Sequence, residues 1–161
     1  MAPIVIADAG PLIALAKLDL LHLLSDLFGQ VYLPSAVQRE CMEKDDADVL
    51  RIEQAVESSV LVVKTLKREE CLPLPRSLGD GEKEAITLAT RYDKPLLVMV
   101  DGLARKQAKK LDIAFIGTVR LLDQAERKGV LPSAEVAIEA MREEGYRISL
   151  EILRDLRGNT D

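Results

Sequence analysis

The sequence predicts an α/β protein, a three-layer α/β/α arrangement around a parallel sheet of about five strands. Three observations carry this. Five short, nearly uninterrupted apolar runs alternate with segments of helical spacing, which is the pattern of strands buried on both faces. The 161 residues are 48% apolar and 30% charged, enough chain and enough apolar surface for one domain with one core. Two of the apolar runs, PIVIAD and KPLLVMVD, finish in an aspartate, a residue that is costly to bury without a partner.

The elements follow in order. PIVIAD (residues 3–8) reads as the first strand. Gly10-Pro11 turns the chain, and Pro suits the first turn of the helix LIALAKL. Asp19 is placed to cap a second helix, LLHLLSDLF, with Gly29 as its C-terminal cap. QVYLP is the second strand, and Pro34-Ser35 open the helix AVQRECMEK. Residues 45–57 carry a helix with a polar face, and VLVVK (60–64) is the third strand. The stretch 65–78 holds two prolines and reads as a loop, with a short helical turn as the alternative. Gly79-Asp80-Gly81 open the helix EKEAITLATRY, which leads into the fourth strand, KPLLVMVD. LARKQAKKL is helical and IAFIG is the fifth strand. Thr118 is placed to cap VRLLDQAERKG, closed by Gly129. Two more helices are expected near 132–144 and 149–157. The core is expected over about 3–130, with the whole of 1–161 as one domain.

Composition removes several classes of function. No apolar stretch approaches the roughly 18 residues of a membrane span. The single His22 lies in an apolar helical pattern, so a zinc site built on histidines is excluded by count. Cys41 and Cys71 lack metal-ligand spacing and, with no secretory leader, are expected as free thiols in the cytoplasm. The net charge of −5 argues against a chain held on nucleic acid by bulk positive charge. It leaves room for one whose acids are neutralised by metal ions.

The acids are where chemistry is expected. In open α/β sheets, ligands bind outside the carboxyl ends of the strands, where the strand order reverses. Asp8 and Asp101 both stand at such ends, although each could serve simply as a helix N-cap. Glu40, flanked by Val37 and Cys41, falls near the buried edge of its helix. Glu82 begins the helix before strand four, where it could equally complement the helix dipole. Glu84, two residues on, points to the other side. Four converging carboxylates suit a hard divalent cation, Mg²⁺ or Mn²⁺. The 27 acids less these four leave 23 against 22 basic residues, so the rest of the chain is nearly neutral.

The order of these motifs resembles a known family. A strand ending in Asp is followed by a glycine-turn helix, then Pro-Ser-Ala-Val-x-x-Glu, then Gly-Glu-x-Glu-Ala-Ile-x-Leu-Ala, then a strand ending in Asp with Ala-Arg-x-x-Ala. Over about residues 3–130 this resembles the PIN-domain family of metal-dependent ribonucleases. The similarity is greatest to the bacterial and archaeal branch related to toxins of the virulence-associated protein C type. The resemblance implies that Asp8, Glu40, Glu82 and Asp101 form the catalytic acid cluster and bind Mg²⁺ or Mn²⁺. It implies an endoribonuclease acting on single-stranded RNA, a homodimer, and a small antitoxin protein as partner. The sequence departs from the pattern at Gly102, where the branch often has a second acid, and at Gly10, where many members have Ser or Thr.

Arg105, Lys106, Lys109 and Lys110 form one stripe on the helix after Asp101. The stripe could hold RNA phosphates, with Arg105 nearest the acids, or be a solvated face. Aromatic residues are only 3% of the chain, so base stacking contributes little. Two other classes compete. A PIN-like module binding nucleic acid or protein with little activity is made possible by Gly102. A phosphohydrolase of the haloacid-dehalogenase type needs Asp-x-Asp at strand one, and Gly10 breaks it. No phosphate-binding GxxxxGK[ST] loop is present.

Overall fold

All five strands form, each somewhat shorter than its apolar run: β1 Ile4–Ala7, β2 Val31–Pro34, β3 Leu61–Lys64, β4 Pro95–Val98 and β5 Ala114–Ile116. The computed structural model describes residues 3–43 and 47–148. The strands make one fully parallel sheet in the order β3-β2-β1-β4-β5. The chain winds outward from β1 to β3, returns across the sheet, and adds β4 and β5 on the other side. The order therefore reverses between β1 and β4, the two strands that precede Asp8 and Asp101.

The helices between them are α1 Ala9–Lys17, α2 His22–Phe28, α3 Ser35–Met42, α4 Ala47–Glu57, α5 Asp80–Ala89, α6 Gly102–Lys110, α7 Thr118–Arg127 and α8 Ala134–Glu143. Successive strand residues face opposite sides of the sheet, and the two resulting cores show it. Val5, Ala7, Leu33, Val98 and Ile116 pack with α1, α2, α4, α7 and α8. Ile6, Leu97 and Met99 pack with Ile86, Ala89, Ala104 and Ala108 of α5 and α6. Parallel strands covered on both faces need apolar residues in both registers, which explains the uninterrupted runs.

Four expectations are corrected. Gly10-Pro11 does not form a turn ahead of the helix: α1 begins at Ala9, so both residues lie in its first turn. Asp19 does not cap α2. It sits in the left-handed region at φ +56°, α2 starts at His22, and the Asp19 carboxylate instead pairs with Arg51 at 3.7 Å. A short polar side chain tolerates that conformation in a turn, and Arg51 offers it a charge. Thr118 does not cap α7 either: Gly117 occupies the cap and Thr118 is buried as the first helical residue. Strand β4 stops at Val98, three residues short of Asp101. The intervening backbone stays extended enough for the Met99 N–H to donate to the Ile116 carbonyl.

Gly29 closes α2 at φ +78° as expected, and Cys41 and Cys71 are free thiols. His22 is exposed at the start of α2. The expected helix over 149–157 lies outside the described residues. No helix among the described residues is long and apolar enough to cross a membrane.

Candidate active site

The carboxyl edge of the sheet beside the β1/β4 reversal gathers the four expected acids. Asp8 follows β1 directly, and its backbone N–H donates to the Val98 carbonyl of β4 at 3.0 Å. It occupies the N-cap position of α1 without making a side-chain cap bond. The residue is only 7% exposed, and its Oδ1 is buried with no hydrogen-bond partner. A carboxylate in that state is not serving as a cap.

Asp101 differs. It is exposed, and one of its oxygens accepts from the Ala104 N–H at 2.9 Å, so it caps α6. The capping bond fixes the carboxyl group beside the cleft and leaves the other oxygen for a further partner.

Glu40 and Glu82 meet at the turn into α5. Glu40 Oε1 accepts from the Gly81 N–H at 2.9 Å, joining α3 to the first turn of α5. A Cβ on Gly81 would stand 2.8 Å and 2.9 Å from the two Glu40 oxygens. Glycine is thus the residue that lets this carboxylate reach the backbone. A Cβ on Gly79 would stand 3.7 Å from Glu82 Oε1 and 3.8 Å from Glu40 Oε1, so both carboxyls border one small space. Glu82 Oε2 is buried with no partner.

The charges respond to one another. Burial, opposed by a hydrogen bond from the Ala9 N–H and aided by the charges of Glu40 and Asp101, raises the Asp8 carboxyl from 3.8 to about 6. Glu82 is raised from 4.5 to about 7 by burial first, then by the charges of Asp101, Asp8 and Glu40, and by a side-chain hydrogen bond with Asp101. The neighbouring Cys41 thiol is pushed up to about 12 by burial, then by Glu40 and Asp8. All four acids are therefore electrostatic neighbours. Two buried oxygens without a partner, among crowded carboxylates, are what a divalent cation would relieve, so the donor set suits a hard divalent ion. Among the described residues, no group of three His, Cys, Asp or Glu side chains is arranged to hold an ion as it stands.

Glu84 faces away, as its helical position requires. It is buried, and its Oε1 accepts from Ser35 Oγ at 2.9 Å and the Ala36 N–H at 3.0 Å. It ties α5 to the start of α3 and so sets the position from which Glu40 reaches Gly81. The sequence signal was available in the Ser-Ala opening of α3, but its partner is 48 residues away.

The basic stripe is split. Lys106, Lys109 and Lys110 are exposed on α6. Arg105 is half-buried: its Nε donates to the Met99 carbonyl at 3.0 Å, and its guanidinium lies over the Phe115 ring at 5.1 Å. At the positions of Gly10 and Gly102, nothing lies within 4 Å of where a Cβ would stand.

Comparison with known proteins agrees with this architecture. A family model described as DUF3368, PIN domain, matches residues 4–160. Among solved structures, the PIN domain of T. brucei RRP44 superposes with a TM-score of 0.53 at 16% sequence identity, over 89% of this chain and 87% of that one. That likeness concerns the fold alone. A comparison with curated proteins gives no match. Because the family model spans nearly the full chain, the protein belongs to the DUF3368 family of PIN domains, a nuclease fold.

Proposed function

We propose that the protein is a metal-dependent endoribonuclease that cleaves phosphodiester bonds of single-stranded RNA. The observation that supports it most is the pair of buried, partnerless oxygens, Asp8 Oδ1 and Glu82 Oε2, within the group of four acids. Asp8 and Asp101 would hold Mg²⁺ or Mn²⁺, with Glu40 and Glu82 completing the set. A bound ion would supply an activated water and charge stabilisation at the leaving oxygen. The chain's own part is to pre-set these oxygens. The Gly81 N–H orients Glu40, the Ala104 N–H orients Asp101, and the walls of the cleft keep Asp8 dry. Without an ion Glu82 is raised to about 7, so an ion binding there would displace a proton from it. Lys106 and Lys109 would meet RNA phosphates, with Arg105 at the edge of the cleft.

The motif order further supports membership of the branch related to virulence-associated protein C toxins. On that basis the protein would act in the cytoplasm as a single-domain, homodimeric toxin restrained by a small antitoxin protein. A second function, as a PIN-like binding module with little activity, is favoured by Gly102, which leaves out an acid beside Asp101.

Incubating nuclease-free protein with single-stranded RNA separates the two. The enzyme cuts with Mg²⁺ or Mn²⁺, is silent in EDTA, and loses at least about a hundredfold in rate on Asp8→Asn, the loss expected when a transition-state interaction worth roughly 3 kcal/mol is removed. No cleavage by the parent with either ion, and identical behaviour of Asp8→Asn, would leave only the binding module.

A further inference from the structure

Beside the acid cleft lies a pocket of about 560 Å³ between the ends of β4 and β5 and the helices α1, α7 and α8. That volume is in the range of pockets that hold a small organic ligand. It adjoins the acids through the chain itself: Val100 in its wall precedes Asp101, and Gly10 in its wall lies two residues beyond Asp8.

Two features of the pocket do not follow from folding. Its walls are largely apolar, built from side chains such as Phe115, Met141 and Ile148, yet three arginines line it: Arg105, Arg120 and Arg147. Among the described residues, no carboxylate pairs with any of the three, although six other basic residues form ion pairs. In a chain of net charge −5, three guanidiniums on one pocket, none ion-paired among the described residues, constitute a local excess of positive charge there. The crowding is felt: burial and the charge of Arg120 make the Arg105 guanidinium less basic than usual. An anion between them would remove the repulsion. The Arg105 guanidinium over the Phe115 ring adds a cation–aromatic wall, and bases pack against both kinds of group.

We propose that this pocket binds a nucleoside monophosphate unit, with its base against the Phe115–Arg105 wall and its phosphate between Arg105, Arg120 and Arg147. The unit is a free nucleotide or a residue of an RNA strand. As a strand subsite it rests on the nuclease function, and it would then seat a nucleotide flanking the one cut. An acidic peptide is less well matched, because the three arginines border a single apolar pocket rather than following an extended groove.

The test is equilibrium binding to the full-length protein in EDTA, so that no cleavage is read. Nucleoside 5′- and 3′-monophosphates are compared with the parent nucleosides, inorganic phosphate, an acidic peptide, and short RNAs bearing either a 5′-phosphate or a 5′-hydroxyl. At least one monophosphate binds tenfold or more tighter than both its nucleoside and phosphate. Arg120→Ala, a change at an exposed position, weakens it at least fivefold without lowering the melting temperature, whereas Asp8→Asn binds at least as tightly as the parent. Preference for RNA over free nucleotide identifies the strand as the source, and the reverse identifies a soluble nucleotide. Monophosphates bound no better than phosphate, affinity unchanged in Arg120→Ala, or binding confined to acidic peptides overturns the proposal. A protein that binds nucleotide in this way but cuts no RNA overturns the nuclease function instead.

Discussion

Gly81 is the residue on which the placement of Glu40 turns. In most helices Gly→Ala is stabilising by up to about 1 kcal/mol, because alanine loses less conformational freedom on folding. Here the added methyl would stand 2.8 Å from Glu40 Oε1, so the carboxylate has to abandon the Gly81 N–H. Gly81→Ala is therefore expected to destabilise by about 1–3 kcal/mol, the usual cost of overpacking. It is also expected to weaken Mn²⁺ binding, since Glu40 leaves the group of acids. Chemical denaturation and a Mn²⁺ titration of the same variant check both effects. A variant more stable than the parent would show that Glu40 is not pinned there.

Helix α5 puts two glutamates to opposite uses, and this separates them by experiment. Glu84 accepts from Ser35 Oγ and the Ala36 N–H, whereas Glu82 stands among other acids with one oxygen unpartnered. Glu84→Ala leaves buried donors unsatisfied and is expected to cost about 1–3 kcal/mol. Glu82→Gln removes a charge from a crowded group and is expected to raise the melting temperature in EDTA. Shifts of the same sign in the two variants would count against a carboxylate cluster. Helix α6 offers a further test. Gly102 is its first residue, with open space where a Cβ would stand. Gly102→Asp places an acid at a helix N-terminus, favourable by about 0.3–1 kcal/mol, and adds a carboxyl next to Asp101. Tighter Mn²⁺ binding and faster RNA cleavage are expected, and unchanged values for both would remove Gly102 as the reason for any weak activity. At this scale the sequence was a good guide where the signal is local. Apolar runs located all five strands, and Asp8 and Asp101 stand out because they interrupt them. The failures at Asp19 and Thr118 share a cause. Capping chemistry is common to turns and helix starts, and the choice was made by residues distant in sequence, such as Arg51 for Asp19. The pairing of Glu84 with α3 and the arginine-lined pocket were invisible for the same reason, since both are assembled across elements.

Across the whole molecule, the acid cleft makes stability depend on pH in a direction opposite to that of ordinary salt-bridged carboxylates. The folded state raises Asp8 from 3.8 to about 6 and Glu82 from 4.5 to about 7, so between those limits it binds more protons than the unfolded chain. Stability from these two groups is then fully present below about pH 4 and is lost as the pH rises through 6 and 7. In EDTA the protein is expected to melt at a higher temperature at pH 5 than at pH 8, and the double variant Asp8→Asn, Glu82→Gln should show a smaller difference. The comparison with the variant isolates these groups from the remaining titratable residues. Divalent ions should reverse the trend. Only deprotonated carboxylates bind the ion, so binding releases protons and strengthens with pH, and a ligand that binds only the folded state adds stability by mass action. Mg²⁺ or Mn²⁺ should therefore raise the melting temperature of the parent more at pH 8 than at pH 5, and should do little for the double variant at either. Thermal melts at the two pH values, with EDTA and with each ion, give all the required differences. Equal pH dependence in parent and double variant, with no shift from either ion, would mean that the four acids do not act as one charged group.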